Sequence, residues 1–215
     1  MKSTNERGVI NIIITGVGGQ GNVVASQIVA SAALDAGFQV YIGETFGASQ
    51  RGGSVMSHVR IFRTGFCGPL IPEGECDLIL GFEPLETFKI LHKYGNEDTV
   101  VIMNDRPTYP VCVLSGREAY PELEDLKNAV MMLARNTYIT QATQLAIEIG
   151  NVMATNIVMT GMAAGSGILP VARNHFEKCI GRLFSGELYD LNIEAFGKGY
   201  AVFERQDLAF ERFSL

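Results

Sequence analysis

The feature that most constrains this chain is a glycine turn set directly behind a strand-length apolar run. Gly16-Val17-Gly18-Gly19-Gln20-Gly21 follows the apolar residues 10–14. Glycine lets a strand turn tightly into a helix, and the first turn of that helix presents unpaired N–H groups to an anion. A second glycine-rich segment, Gly43-Glu44-Thr45-Phe46-Gly47-Ala48-Ser49-Gln50-Arg51-Gly52-Gly53, runs into the alternating stretch 54–62. It sets the guanidinium of Arg51 between Gln50 and a glycine pair, where neighbouring side chains leave room for a close approach.

The first segment fits two templates, each incompletely. As G-x-G-x-x-G behind a strand it matches the dinucleotide fingerprint, which also wants an acid at the end of the second strand, about 20 residues on. Glu44 stands just past the next apolar run, 38–42, and nearly meets that requirement. As G-x-x-x-x-G it matches the start of a triphosphate loop, but Asn22-Val23 occupy the places of the Lys and Ser or Thr. With no Lys to reach a terminal phosphate and no hydroxyl for Mg²⁺, the segment argues against triphosphate hydrolysis. The plain alternative is that the glycines only pack the first helix closely against the sheet.

Along the chain, strands and helices alternate. Residues 9–15 read as a buried strand, 22–36 as a helix stopped by Gly37, and 38–42 as the next strand. In 54–62, Val55, Ser57, Val59 and Ile61 share one face, and Met56, His58, Arg60 and Phe62 the other. A stretch that polar on both faces is not expected at the centre of a packed sheet. Residues 77–82 and 99–103 read as buried strands around a helix at 84–94, with Pro84 in its first turn. A short strand at 111–114, a helix at 122–135 and a strand at 138–140 follow. The alternation predicts an α/β fold, a Rossmann-like doubly wound, mainly parallel sheet with C-terminal helices. A single domain over residues 1–215 is expected, helical from about residue 142.

Between Glu148 and Arg173 no residue is charged. Asn151, Asn156, Gly161, Gly165, Gly167 and Pro170 interrupt the span, which rules against a membrane helix. A helix over 152–164 is apolar around most of its girth and must be buried, in its own core or against another chain. Helices over 171–184 and 188–207 complete the chain. In the second, Gly197 and Gly199 each weaken the helix by about 1 kcal/mol, which points to something packed close against it.

The net charge of −6, with no Lys/Arg block, argues against nucleic acid or an anionic membrane as partner. A polar stretch, 1–8, stands where a secretory leader would be apolar, so a cytoplasmic location is expected. Cys67, Cys76, Cys112 and Cys179 form no C-x-x-C pair, so no local metal or iron–sulfur motif is present. His58 reads as a hydrogen-bonded strand histidine, His92 and His175 as surface residues on helices. No catalytic acid–base pair and no metal ligands are assigned.

Taken together, these motifs resemble the gamma subunits or gamma domains of 2-oxoacid:ferredoxin oxidoreductases. The resemblance is carried by G-x-G-G-Q-G at Gly16 to Gly21 and G-E-T-F-G-A-S-Q-R-G-G-S-V from Gly43 to Val55. It extends to His58-Val59-Arg60, to D-L-I-L-G at Asp77 to Gly81, to Gly150-Asn151 and to Asn192-x-x-Ala195-Phe196-x-x-Gly199-Tyr200. Without cysteine clusters or a thiamine-binding acid motif, the chain looks most like the small, or beta, subunit of the indolepyruvate enzymes.

That resemblance implies a 2-oxoacid converted with coenzyme A to an acyl-CoA and CO₂, while ferredoxin is reduced. It implies a hetero-oligomer whose large subunit carries thiamine diphosphate and [4Fe-4S] clusters and meets ferredoxin, with no activity for this chain alone. The anionic coenzyme would then meet Gly18, Gly19, Gln20 and Gly21 with Gln50, Arg51, Gly52 and Gly53, unless that second loop only shapes the subunit interface. Two other readings stand beside it: an independent nicotinamide- or flavin-dependent enzyme using Glu44 for a ribose, and a coenzyme A- or nucleotide-binding regulatory module.

Overall fold

A computed structural model of the chain describes residues 8–46, 52–109 and 111–204. One six-stranded sheet organises it, in the order β2-β3-β1-β4-β5-β6. The strands are β1 (Val9–Val17), β2 (Gln39–Phe46), β3 (Ser54–Phe62), β4 (Leu78–Gly81), β5 (Val100–Asn104) and β6 (Asn136–Thr140). β1, β4, β5 and β6 run parallel, and the apolar runs of β1, β4 and β5 fit strands covered on both faces.

Alternation along each strand divides the core into two layers. Ile12, Ile14, Leu78, Leu80 and Ile102 face helix α1 (Asn22–Asp35), α6 (Thr155–Gly165), α7 (Arg173–Leu183) and α8 (Glu187–Glu204). Ile13, Ile79, Val101 and Met103 face the side of α2 (Pro84–Tyr94) and α4 (Leu123–Leu133). Two shorter helices, α3 (Val111–Leu114) and α5 (Ala142–Glu148), complete the set among the described residues.

β3, expected away from the centre of the sheet, is not peripheral. It lies between β2 and β1, antiparallel to both, with Ile13 opposite His58 and Asn11 opposite Arg60. Its polar face is tolerated because the connection after it folds back and satisfies it. His58 Nδ1 accepts from the Ile71 amide at 3.2 Å. Arg60 donates to Asn11 Oδ1 at 2.9 Å and to the carbonyls of Gly68 and Leu70 at 2.9 and 3.1 Å. Burial, then the positive charges of Arg60 and Lys93, holds the His58 pKa below its ordinary value, so this imidazole is a neutral strut. The expected strand at 111–114 is a helical turn, α3; periodicity cannot decide a run that short.

The uncharged span opens with a 3₁₀ turn at Val152–Ala154, capped by Asn151 Oδ1 accepting from the Met153 amide at 2.9 Å. In α6, Ile157, Val158, Met159 and Met162 are each at most 1% exposed, so core packing accounts for this helix. Each such side chain contributes about 1.5–3 kcal/mol by leaving water. α8 lies close enough on α6 that a Cβ on Gly199 would overlap the Val158 carbonyl, and one on Gly161 the Phe196 carbonyl. The close approach expected at both glycines of α8 holds for Gly199 alone, because a Cβ on Gly197 would meet only Arg173 Nη2 at 3.7 Å. Gly199→Ala should therefore cost roughly 1–3 kcal/mol by forcing the helices apart. Gly197→Ala should gain up to about 1 kcal/mol of helix propensity. Urea unfolding of the two variants checks the contrast, and equal effects would overturn it.

Candidate functional site

The carboxyl ends of β1, β2, β4, β5 and β6 lie along one edge of the sheet, where ligands of open α/β sheets bind. Both glycine segments reach this edge. Beyond Val17 the chain turns through Gly19 at φ +107° and Gly21 at φ +83°, conformations that side chains rarely adopt. Gly21 caps α1 without a side-chain bond, so no side chain of its own fills that helix end.

The two segments pair with each other through their backbones. Gly18 N–H donates to the Gly53 carbonyl at 2.8 Å, and Gly52 N–H returns a bond to the Gly18 carbonyl at 3.3 Å. The structure thus brings Gly18, Gly19, Gln20, Gly21, Gly52 and Gly53 together, while Gln50 and Arg51 lie outside the described residues. The amides of Gly18 and of Gln20, which bonds Val17 O at 3.2 Å, are engaged within the chain.

Gln20 is a staple. Its Oε1 accepts from the Val17 amide at 2.7 Å, and its Nε2 donates to the Phe82 carbonyl at 3.2 Å and to Thr108 Oγ1 at 3.1 Å. One side chain thereby ties the ends of β1 and β4 to the loop after β5. Asn104 does the same for β4, β5 and α5, donating to the Phe82 carbonyl at 3.3 Å and to Thr143 Oγ1 at 3.0 Å.

Glu83 anchors the next layer. Its carboxylate is fully buried and accepts from the Glu86 amide at 2.9 Å, from the Thr108 amide at 3.5 Å and from the Tyr120 hydroxyl. Burial pushes its pKa above the ordinary 4.5 despite these bonds. Nothing in the sequence around Glu83, Thr108 or Tyr120 marks them as partners; a helix cap at Glu83, just before Pro84, was the one visible signal.

Above these residues opens a cleft of ≈ 230 Å³. Gly19 and Gln20 come to it from β1, Phe82 from β4, Arg106 and Thr108 from the loop after β5, and Thr143 from α5. Val152, Met153 and Thr155 close its far side, and Val152 and Met153 are themselves 48% and 67% exposed. Exposed Arg106 sets a positive charge on its lip.

The topology removes the basis for Glu44 as a ribose ligand. That role requires the acid's strand beside β1, but β3 intervenes and sets β2 about 10 Å away, at roughly 4.8 Å per strand. Glu44 lies within β2, opposite Ser57, rather than past the strand end. Away from this edge, His175 is only partly at the surface: its Nδ1 lies 2.8 Å from Asp35, which Lys178 and Arg182 also bind. The hydrogen bond from Lys178, then that from His175, holds the Asp35 carboxyl well below the usual range.

Residues 11–202 match the model of the pyruvate ferredoxin/flavodoxin oxidoreductase family. The chain belongs to that family. An indolepyruvate oxidoreductase subunit IorB of Archaeoglobus fulgidus is 39% identical over 89% of this chain and 94% of its own length. The subunit of the same name from Pyrococcus horikoshii is 40% identical over 88% and 93%. Among solved structures, a 2-oxoglutarate:ferredoxin oxidoreductase of Magnetococcus marinus, with 2-oxoglutarate, coenzyme A and succinyl-CoA bound, superposes with a TM-score of 0.73 at 22% identity. It matches 96% of this chain and 33% of that one, so the family fold here is one part of a longer polypeptide there.

The buried carboxyl at the base of this edge gives the fold a pH signature. Because the folded-state pKa of Glu83 is raised, its proton favours the folded chain below pH 4.5, and that contribution is lost as pH rises through the raised value. Glu83→Gln, which keeps an acceptor for the Glu86 amide, should abolish the loss. The difference in urea midpoint between variant and parent should move in the variant's favour from pH 4.5 upward. Parallel profiles would show that Glu83 does not set this slope.

Proposed function

We propose that the chain is the small subunit of an indolepyruvate-type 2-oxoacid:ferredoxin oxidoreductase, a cytoplasmic hetero-oligomer. The observation that carries this reading is the likeness to IorB subunits over nearly the whole length of both chains. In the assembled enzyme a 2-oxoacid is decarboxylated and oxidised, the acyl group passes to coenzyme A, and the electrons pass to ferredoxin. The large partner subunit holds thiamine diphosphate, which supplies the carbanion chemistry, and the iron–sulfur clusters. Cysteine placement supports that division. Cys76 and Cys179 belong to core layers on opposite faces of the sheet, so their sulfurs cannot converge on one cluster. Burial, moreover, pushes the Cys76 thiol well above its usual range.

What this chain contributes, in our reading, is a site for the coenzyme and a face for the large subunit. The glycine turn leaves the first turn of α1 without a side-chain cap, and a phosphate suits such an end. Arg51 is bonded to Gly52, whose amide pairs with Gly18. Gly18, Gly19, Gln20 and Gly21 with Gln50, Arg51, Gly52 and Gly53 thus form the proposed coenzyme site. Gln20 shapes it through its staple, and Arg51 makes the charge-assisted contact. Exposed Tyr109, Val111, Leu114, Val152 and Met153 surround the same edge and suit burial against the large subunit.

A guanidinium grips phosphate through paired donors that an ammonium cannot reproduce. Arg51→Lys in the assembled enzyme should therefore raise the KM for coenzyme A by roughly tenfold, the worth of one charge-assisted contact. The KM for the 2-oxoacid and the sedimentation of the complex should stay as they were. An unchanged KM for coenzyme A in an intact complex removes Arg51 from the site. Weakened assembly with all activities lowered together would make it an interface strut.

A further inference from the structure

Three threonines line the cleft at the carboxyl edge of the sheet, and their hydroxyls are used differently. Thr155 donates to the Val152 carbonyl at 2.7 Å, so its proton is engaged within the chain. Thr108 and Thr143 only accept. Thr108 Oγ1 takes a bond from Gln20 Nε2 at 3.1 Å, and Thr143 Oγ1 takes one from Asn104 Nδ2 at 3.0 Å. Backbone groups fix the direction of both bonds. A main-chain N–H can only donate, and the Val17 amide donates to Gln20 Oε1 while the Thr143 amide donates to Asn104 Oδ1 at 3.2 Å. Each side-chain amide therefore turns its nitrogen to a threonine, and each of those hydroxyls keeps its own proton to give.

Among the described residues neither hydroxyl donates a hydrogen bond, although Thr143 is only 7% exposed. Both side chains border the same cleft, which is where an acceptor for the two protons can sit. No Asp or Glu lines that cleft. Buried Glu83 holds Thr108 through its backbone amide, at 3.5 Å, and not through its hydroxyl. Arg106, exposed on the lip, joins none of the ion pairs among the described residues. The cleft thus offers protons and one positive charge, and no negative charge.

We propose that this cleft is an oxyanion pocket, in which the Thr108 and Thr143 hydroxyls and the Arg106 guanidinium donate to one phosphate or carboxylate group. An oxyanion brings several lone pairs to converging donors, and bonds to a charged acceptor are about twice as strong as neutral ones. The bonds from Gln20 and Asn104 hold both hydroxyls in place before the ligand arrives, which lowers the ordering cost of binding. A cleft of ≈ 230 Å³ is smaller than a pocket that encloses a whole drug-sized ligand, so it takes the anionic end of a longer molecule. That molecule is the coenzyme, an assignment that rests on the reading of this edge as a coenzyme A site and adds Thr108, Thr143 and Arg106 to it.

Thr143→Val and Thr108→Val each remove one donor and keep the shape of the side chain. The urea midpoint of the parent chain should rise in inorganic phosphate relative to chloride at equal ionic strength, and either variant should lose most of that rise. In the assembled enzyme each variant should raise the KM for coenzyme A roughly tenfold, the worth of one hydrogen bond to a charged group. The KM for the 2-oxoacid should stay as it was. Thr143→Ser, which keeps the hydroxyl, should recover the affinity that valine loses. A raised KM for the 2-oxoacid instead, with the phosphate response lost, keeps the pocket and assigns it to the substrate carboxylate. With both KM values unchanged, a lost phosphate response keeps the pocket and strikes out the coenzyme as its ligand. Equal phosphate responses in parent and variants, zero included, overturn the pocket. The coenzyme site still stands if Arg51→Lys raises the KM for coenzyme A, and falls as well if it does not. Should one valine variant not fold, the other carries both comparisons.

Discussion

The antiparallel ladder between β1 and β3 is the constraint on which the rest depends. It runs from the Val9–Phe62 pair to the Val17–Ser54 pair without a break. Past the last pair it continues as the bonds between Gly18 and Gly52–Gly53. Each strand end delivers one glycine segment, so the register of the ladder also sets the register of the site. A slip of one residue would turn His58 and Arg60 toward the apolar layer under α1 and α6, where no carbonyl awaits them. The polar face of β3 therefore does more than survive burial: it makes one register far better than its neighbours.

Against that fixed edge, the loop after β5 is held by side chains rather than by backbone ladders. Gln20, Asn104 and Glu83 each bind groups from two or more elements, and all three meet near the Phe82 carbonyl or Thr108. Such networks are rigid when every member is satisfied and costly when one is not. One buried amide among the described residues, Asn22, has no partner.

The opposite layer solves a different problem, the burial of a helix without charge. α6 is enclosed because the backbones of α8 and α6 come together at Gly199, Gly161 and Gly165, where no Cβ keeps them apart. The close approach brings Phe196 and Phe176 into a stacked pair beside the methionines, with ring centroids 5.7 Å apart. The family's late glycine–aromatic motif is thus a packing device, and the large hydrophobics of the uncharged span that stay exposed are Val152 and Met153 of the 3₁₀ turn at the cleft rim.

Much of this was legible in the residues themselves. The apolar runs behind Gly16 and Gly81 marked parallel strands because a strand covered on both faces cannot alternate. Pro84 and the glycines of the first turn marked helix starts because their backbone preferences are local. The strand order was not legible, and neither was the place of β3, because the partners of His58 and Arg60 come from the connection between β3 and β4, and even at its near end the ladder to β1 joins Val17 to Ser54, 37 positions on. The role of Gln20 was only half visible: its place in the glycine turn could be read, its bond to Thr108 could not. Sequence alone determined which segments turn, which run straight and which faces shun water, since those follow from φ preferences and periodicity over a few residues. Tertiary structure alone decided which polar groups find partners and left Asn22 without one, since hydrogen bonds between distant segments exist only once the sheet has brought those segments together.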